Sequence, residues 1–127
     1  MAKNKPLKQL AAQEISLFCD QIALVLHAGI ALYDAMGMLR ESYAGTAMEP
    51  KIDAIDEIIR ESGSLYAAME GAGCFPAYAV YMVRIGERSG NLEEIMSALS
   101  DYYAWEDKVR GAVRSAVFYP AMLIAMM

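Results

Sequence analysis

The sequence has few of the residues from which most catalytic and metal sites are built. Its 127 residues include two cysteines and one histidine. Cys19 and Cys74 do not form a C-x-x-C pair, and His27 alone cannot complete a zinc site. No G-x-x-x-x-G-K-[ST] loop for binding phosphates is present. We therefore expect no enzymatic activity, no catalytic residue, no cofactor and no metal. We also expect both thiols to stay reduced, as suits a cytoplasmic domain.

Positive charge is scarce in the body of the chain. All 16 acidic residues fall between Glu14 and Asp107, where only five of the 11 basic residues lie, and the formal net charge is −5. This balance gives no support to nucleic-acid binding. The other six basic residues are near the two ends: Lys3, Lys5, Lys8, Lys108, Arg110 and Arg114. They indicate either contact with an anionic surface or, for the first three, an ordinary disordered basic terminus.

Strand patterns are also missing, because no segment alternates cleanly between apolar and polar residues. Apolar residues instead recur at helical spacing between glycine, proline and capping residues. The pattern predicts six helices, at roughly 14–28, 32–43, 50–62, 65–70 and 76–88, and from 92 onward, with Ser64 as the N-cap of the fourth. We predict an all-α fold, a six-helix antiparallel bundle.

Two helix faces call for more specific predictions. Leu17 and Leu24 widen the apolar stripe of the first helix, so we expect that helix to be buried on two sides. Asp53, Asp56 and Glu57 mark the expected wet face of the third helix. Carboxylates at this spacing are usually solvated, and the alternative is modest binding of a divalent cation through oxygen ligands.

The end of the chain contains a stretch without charge. If the sixth helix is continuous it spans about 35 residues and about 50 Å, so its end should project from the bundle. Residues 115–127 are uncharged, whereas a membrane span needs about 20 apolar residues. We predict the start of a truncated transmembrane helix, and the alternative is a buried C-terminal helix. The domains are then a basic flexible N-terminus at 1–13, a helical domain at 14–114 and the start of a span at 115–127.

Basic and aromatic residues precede the uncharged stretch. Lys108, Arg110 and Arg114 form a cationic flank, which predicts that the domain lies on the cytoplasmic side. Tyr102, Tyr103 and Trp105 lie about three turns before the stretch. Three interpretations are open for these aromatics: a dimer surface, a patch near the lipid headgroups, or ordinary core packing.

Four segments in order resemble the type II secretion system F domain family. They are LFCDQIALVLHAGIALYDAM at 17–36, SGSLYAAM at 62–69, IGERSGNLEEIM at 85–96 and RSAVFYPAMLI at 114–124. Each segment alone is a weak signal, but four with similar order and spacing are specific. The resemblance covers roughly residues 16–127.

The resemblance implies a function without catalysis. The family supplies the inner-membrane platform protein of type II secretion, type IV pilus and competence systems, with two such helical domains and about three membrane spans. The implied partners are a cytoplasmic hexameric assembly ATPase, other inner-membrane assembly proteins, a pilin or pseudopilin, and a second copy of the chain. A related platform from another pilus or archaeal filament system, and a soluble all-helical adaptor without a membrane role, are the alternatives.

The resemblance also marks residues for structural or partner contacts. They are Gly29, Gly63, Ser64, Leu65, Gly86, Glu87, Ser89, Gly90, Tyr119 and Pro120. Within this set, we expect Gly86 to permit a close helix approach and Ser89-Gly90 to turn the chain. Glu87 is expected to bond to backbone amides or a basic side chain at that corner. His27, near the end of the first helix, is expected to interact with the helix dipole rather than with a metal.

Overall fold

The computed structural model describes residues 9–126, except for the side chains of residues 113–119. Within that range every regular element is an α-helix, which confirms the predicted all-α class. The helices are α1 (Ala12–His27), α2 (Leu32–Tyr43), α3 (Glu49–Ser62), α4 (Leu65–Ala72), α5 (Ala77–Ser89) and α6 (Leu92–Met126).

The six helices form a closed ring around one core. Each helix packs against the helices before and after it in the chain, and α6 also packs against α1. Among the described residues, α3 contacts α2 and α4 but not α6, so α3 and α6 lie on different sides of the ring. The core is apolar and includes the fully buried side chains of Phe18, Met36, Ile52, Leu65, Val83 and Met96.

Serine side chains close the ring where α6 meets α1. The Ser16 hydroxyl donates to the Ser100 carbonyl at 2.8 Å, and the Ser100 hydroxyl donates to the Ser16 carbonyl at 3.0 Å. Small side chains allow the two helices to approach closely, and each hydroxyl satisfies a carbonyl of the other helix. This reciprocal pair joins residues that are 84 positions apart in the sequence.

The packed domain begins earlier than predicted. Helix α1 starts at Ala12, Leu10 is buried, and the Leu10 N–H donates to the Cys74 carbonyl at 3.0 Å. The Gln9 side-chain amide donates to the Gly73 carbonyl at 2.7 Å. The segment before α1 is therefore anchored against the end of α4, because its backbone supplies a hydrogen bond there. Residues 1–8 of the predicted flexible N-terminus lie outside the described part of the chain.

The prediction that α1 is buried on two sides is wrong. Leu17 is 52% exposed and Leu24 is 60% exposed. In the ring, α1 packs against α2 and α6, and its core-facing stripe is Ile15, Phe18, Cys19 and Ile22. The opposite face has no neighbouring helix among the described residues, so these two leucines face solvent.

The prediction that Asp56 lies on a wet face is also wrong. The Asp56 carboxylate is 6% exposed and lies between two guanidinium groups. Arg60 Nε donates to Asp56 Oδ2 at 2.9 Å, and Arg40 Nη1 donates to the same oxygen at 3.5 Å. Arg40 also pairs with Asp53 at 3.1 Å. The basic partners compensate the burial of the carboxylate, since a buried charge requires pairing.

Helix α6 is 35 residues long, or about 50 Å, as predicted. Its first turns pack into the core through Met96, Leu99 and Tyr103. The described side chains at 107–112 and 120–126 are all exposed. Pro120 lies inside the helix. No helix among the described residues is long and apolar enough to cross a membrane.

Candidate functional site

Two turns that are distant in sequence meet at one end of the ring. The first turn joins α3 to α4 through Gly63 and Ser64, and the second joins α5 to α6 through Gly90 and Asn91. A carboxylate from the last turns of α5 connects them. We call this set, Gly63, Ser64, Leu65, Gly86, Glu87 and Gly90, the glycine junction.

Glu87 is the centre of the glycine junction. Its Oε1 accepts from the Ser64 hydroxyl at 2.8 Å. Its Oε2 accepts from the Leu65 N–H at 2.6 Å and from the Tyr66 N–H at 3.3 Å. These amides belong to the first turn of α4, where no carbonyl within the helix is available to them. A carboxylate here also interacts favourably with the positive end of the helix dipole.

Ser64 completes the cap of α4. Its Oγ accepts from the Ala67 N–H at 3.1 Å while donating its own proton to Glu87. Serine at an N-cap and a carboxylate from a different helix therefore satisfy three amides of the same turn. The Leu65 side chain that follows is fully buried. The arrangement fixes the start of α4 relative to the end of α5.

The glycines have two distinct roles. Gly63 (φ 72°) and Gly90 (φ 78°) end α3 and α5 in the left-handed region, which glycine adopts at little cost. Gly86 is helical and lies where α5 meets α6. A Cβ added there would lie 3.0 Å from Ile95 Cγ1 and 3.2 Å from the Leu92 Cα. Gly86 therefore permits a close approach that any side chain would obstruct.

A depression of about 480 Å³ opens beside these turns. It is lined by Leu26, Gly63, Gly86, Glu87, Gly90, Leu92 and Glu93. The lining thus combines three glycines, two leucines and two carboxylates. One of them, Glu93, bonds to His27 Nδ1 at 2.9 Å. Glu87 is engaged by the first turn of α4, so the two carboxylates of the lining both have partners within the domain.

The remaining residues marked by the resemblance are placed elsewhere. The Ser89 hydroxyl donates to the Ile85 carbonyl of its own helix at 2.9 Å, and Gly29 (φ 80°) follows the end of α1. Pro120 is exposed, 28 residues after Leu92 on α6, or about 42 Å along the axis. The Tyr119 backbone is helical too, and its side chain lies outside the described part. The structure thus brings the first two turns together but leaves Tyr119 and Pro120 far from them.

Two cysteine thiols and one tyrosine hydroxyl inside the domain are held in their neutral forms. Cys19 and Cys74 are free and buried. Burial raises the pKa of the Cys19 thiol to about 12, and burial likewise raises that of Cys74. Both thiols are protonated near neutral pH, and a protonated thiol is a poor nucleophile. Burial, and to a smaller extent the negative charge of Glu106, raises the pKa of Tyr103 to about 12.

No metal centre is formed among the described residues, where no group of three or more His, Cys, Asp or Glu side chains is arranged to hold an ion. In the third helix, Asp53 and Asp56 are engaged by arginines. Sequence reasoning missed this arginine pairing. The Asp56–Arg60 spacing of four residues was a visible signal. Nothing in the sequence indicated that Arg40 of α2 would reach the same carboxylate.

The aromatic residues of α6 divide between core and surface. Tyr103 is 3% exposed and belongs to the core, while Tyr102 is 41% and Trp105 is 60% exposed. The core interpretation therefore holds for Tyr103 and is wrong for the other two. Helical spacing explains the division, since neighbouring residues on a helix face directions about 100° apart.

Comparison with known proteins assigns the chain to a family. The family model described as type II secretion system (T2SS), protein F, matches residues 18–127. The chain therefore belongs to the type II secretion system F family, as the four segments indicated. The matched region contains the whole glycine junction and α6.

Individual relatives come from both secretion and pilus systems. The chain is 28% identical over 127 residues to the type II secretion system protein F of Xanthomonas campestris pv. campestris, covering 99% of this chain and 31% of that protein. It is 26% identical over 111 residues to the type IV pilus assembly protein PilC of Thermus thermophilus, covering 87% of this chain and 27% of that protein. The chain thus spans about three tenths of the length of these curated relatives.

Proposed function

We propose that this chain is the cytoplasmic helical domain of an inner-membrane platform protein, one that couples an assembly ATPase to the extrusion of pilin or pseudopilin subunits. The family and the relatives directly support the coarser part of this proposal, a component of a secretion or pilus assembly machine. One observation carries the finer proposal. The helices form a closed ring, and α6 continues beyond its packed first turns into the uncharged stretch.

The membrane anchor is part of this proposal. Residues 115–127 carry no charge and follow the cationic residues Lys108, Arg110 and Arg114. We propose that they begin the first transmembrane helix, with residues before Ser115 on the cytoplasmic side, because cationic flanks are retained there. The antiparallel order of the six helices and the end of the helical domain at residue 114 belong to the same proposal.

The domain would act mechanically rather than catalytically. Glu87 ties α4 to α5, Gly86 joins α5 closely to α6, and the reciprocal serine bonds join α6 to α1. Force applied to the ring would therefore reach α6 through short, satisfied contacts. The expected partners are the cytoplasmic hexameric ATPase, other inner-membrane assembly proteins, the pilin or pseudopilin, and a second copy of the chain. No cofactor and no nucleic acid is required.

The exposed side of α3 is the surface that we assign to the motor. It lies away from α6 in the ring, and Glu57 and Glu61 are exposed there, four residues apart on one face. An acidic surface favours a basic partner and accelerates association at low ionic strength. A motor bound there would not obstruct the membrane end of α6.

Charge reversal on α3 tests this assignment. We expect the double variant Glu57→Lys, Glu61→Lys in the full-length protein to reduce co-purification of the system's assembly ATPase at least fivefold. The thermal midpoint of the domain should stay nearly constant, because both side chains are exposed and surface changes of this kind cost less than about 0.5 kcal/mol.

The control is the isosteric variant Glu57→Gln, Glu61→Gln, which removes the charge without reversing it and should have a smaller effect. Recovery of the ATPase should also fall as salt is raised in the wild-type protein. Equal recovery with the wild-type and the lysine variant would show that the motor binds another surface.

A further inference from the structure

Helices α5 and α6 share an exposed apolar face. On α5, Tyr78, Tyr81 and Ile85 are spaced three and four residues apart and are 49%, 60% and 38% exposed. On α6, Tyr102 and Trp105 continue the face, with their rings 6.3 Å apart between centroids. The Tyr78 and Tyr102 rings join the two helices at 5.1 Å. We call this surface, together with Val109, the aromatic face.

Helix α6 carries two apolar stripes, one that faces the core and one that is largely exposed. The first, at Met96, Leu99 and Tyr103, faces the core and has no apolar successor at 106, 107 or 110. The second alternates steps of three and four residues and is apolar at every position: Ile95, Ala98, Tyr102, Trp105, Val109, Ala112, Ala116, Tyr119, Leu123 and Met126. A repeat of this kind along one helix is typical of the seam of a coiled coil.

The described side chains of the second stripe are largely uncovered. Ala98, Tyr102, Trp105, Val109 and Ala112 are all exposed. The stripe passes without interruption from the helical domain into the uncharged stretch. Any partner that covers it along its length must therefore present an apolar line of similar length.

The distance along α6 argues against lipid headgroups as the occupant. Trp105 precedes Ser115 by ten residues, which is about 15 Å along a helix that enters the membrane end-on. The headgroup region on each side of a bilayer is only about 5–8 Å thick. Tyr78 lies on α5, beside the still earlier residue Tyr102. The aromatic face therefore lies too far from the bilayer to be an interfacial belt.

The area of the face is close to what self-association needs. Full burial of a tyrosine or tryptophan removes about 150–250 Å² from water, so four half-exposed rings supply roughly 400 Å² per copy. With Ile85 and Val109 the face reaches roughly 500 Å², or about 1,000 Å² for two copies, the lower limit of a specific interface. Continuation of the seam along α6 would supply the rest.

We propose that the aromatic face and the second stripe of α6 bind the same surface of a second copy of this chain, with the two α6 helices parallel and in register. The inference rests on the proposed membrane anchor and homodimer, and it specifies their surface. Two copies inserted in one orientation present identical seams running in the same direction. A two-fold interface then places Trp105 and Val109 beside their own counterparts.

Charges beside the seam set a limit on its strength. In a parallel arrangement Asp101 of one copy faces Glu106 of the other across the seam, and like charges oppose association. Glu106 is offset within its own helix by Arg110, at 3.1 Å. Reversal of the first charge, Asp101→Lys, should therefore tighten the dimer.

Sedimentation of the 127-residue chain in a mild detergent tests the surface. We expect a reversible dimer whose dissociation constant rises at least tenfold in Trp105→Glu, equivalent to about 1.4 kcal/mol. The matched control is Leu24→Glu on α1, because Leu24 is also 60% exposed but lies outside the face. Circular dichroism should show the same helicity for both variants.

Disulfide formation tests the register. Under mild oxidation Val109→Cys should form a covalent dimer, whereas Asp107→Cys, which points away from the seam, should not; the native Cys19 and Cys74 are buried. A monomer at all concentrations, a dimer that Leu24→Glu disrupts and Trp105→Glu does not, or binding of the monomer to anionic vesicles through Trp105 would each overturn the proposal. None of these outcomes would affect the cytoplasmic placement of the domain, which a topology reporter measures separately.

Discussion

Replacement of Glu87 by alanine should lower the free energy of unfolding by about 2–4 kcal/mol. The Glu87 carboxylate accepts from the Leu65 N–H at 2.6 Å, the Tyr66 N–H at 3.3 Å and the Ser64 hydroxyl at 2.8 Å. Hydrogen bonds to a charged group contribute about 1.5–3 kcal/mol, and partly buried donors that lose their acceptor add a desolvation cost. Urea denaturation followed by circular dichroism gives the difference.

A nearby exposed glutamate provides the comparison. Glu94 is exposed in the first turn of α6, where a carboxylate interacts only with the helix dipole, so Glu94→Ala should change the free energy of unfolding by at most about 1 kcal/mol. Glu87→Gln retains the shape and one acceptor oxygen, and should fall between the two. If Glu87→Ala were as mild as Glu94→Ala, the carboxylate would not be holding α4 against α5.

Replacement of Gly86 by leucine should destabilise the bundle by about 1–3 kcal/mol through overpacking. Even a Cβ would lie 3.0 Å from Ile95 Cγ1, 3.1 Å from Ile95 Cβ and 3.2 Å from the Leu92 Cα. Ile95 could adjust its side chain, but Leu92 contributes backbone, so α6 itself would have to move. The thermal midpoint and the urea midpoint both measure this loss.

The alanine variants separate packing from helix propensity. Alanine is more favourable than glycine inside a helix by about 0.5–1 kcal/mol. Gly37 lies inside α2 with no heavy atom within 4 Å of an added Cβ, so Gly37→Ala should be stabilising by about that amount. Gly86→Ala should be destabilising despite the same gain in propensity. Stabilisation by both changes would show that α5 and α6 can separate at Gly86 without cost.

Local signals placed most of the helices correctly from sequence. Helix α2 matches its predicted limits, Gly63 caps the end of α3, and Ser64 caps α4. These boundaries depend on glycine conformation and capping, which act within a few residues and are therefore visible in the sequence. The start of α1 was missed by two residues because Leu10 is held by a distant contact, its bond to Cys74.

Burial was less predictable than helix position. The exposure of Leu17 and Leu24 and the burial of Asp56 depend on which helices are neighbours in the ring. Periodicity shows that a helix has an apolar side, but it does not show how much of that side another helix covers. The role of Glu87 was partly predictable, since its position near a glycine turn suggested hydrogen bonds to backbone amides. The particular amides of α4 were not predictable.

The site was predictable as a set of residues rather than as an arrangement. The family segments identified Ser64 and Glu87 separately, 23 positions apart, and the structure joins them at 2.8 Å. That contact requires α4 and α5 to pack side by side, which is a property of the whole ring. The pairing of His27 with Glu93 at 2.9 Å depends on the closure of α1 onto α6 in the same way.

The side of the membrane on which this domain lies is the most direct test of the proposed function. A reporter that is active on only one side of the membrane would be fused before Glu14 in the full-length protein. The cationic residues Lys108, Arg110 and Arg114 precede the uncharged stretch, so the reporter should be active in the cytoplasm, where an ATPase can reach the ring. Activity in the periplasm would separate the domain from any cytoplasmic motor and contradict the platform function, whatever the fold.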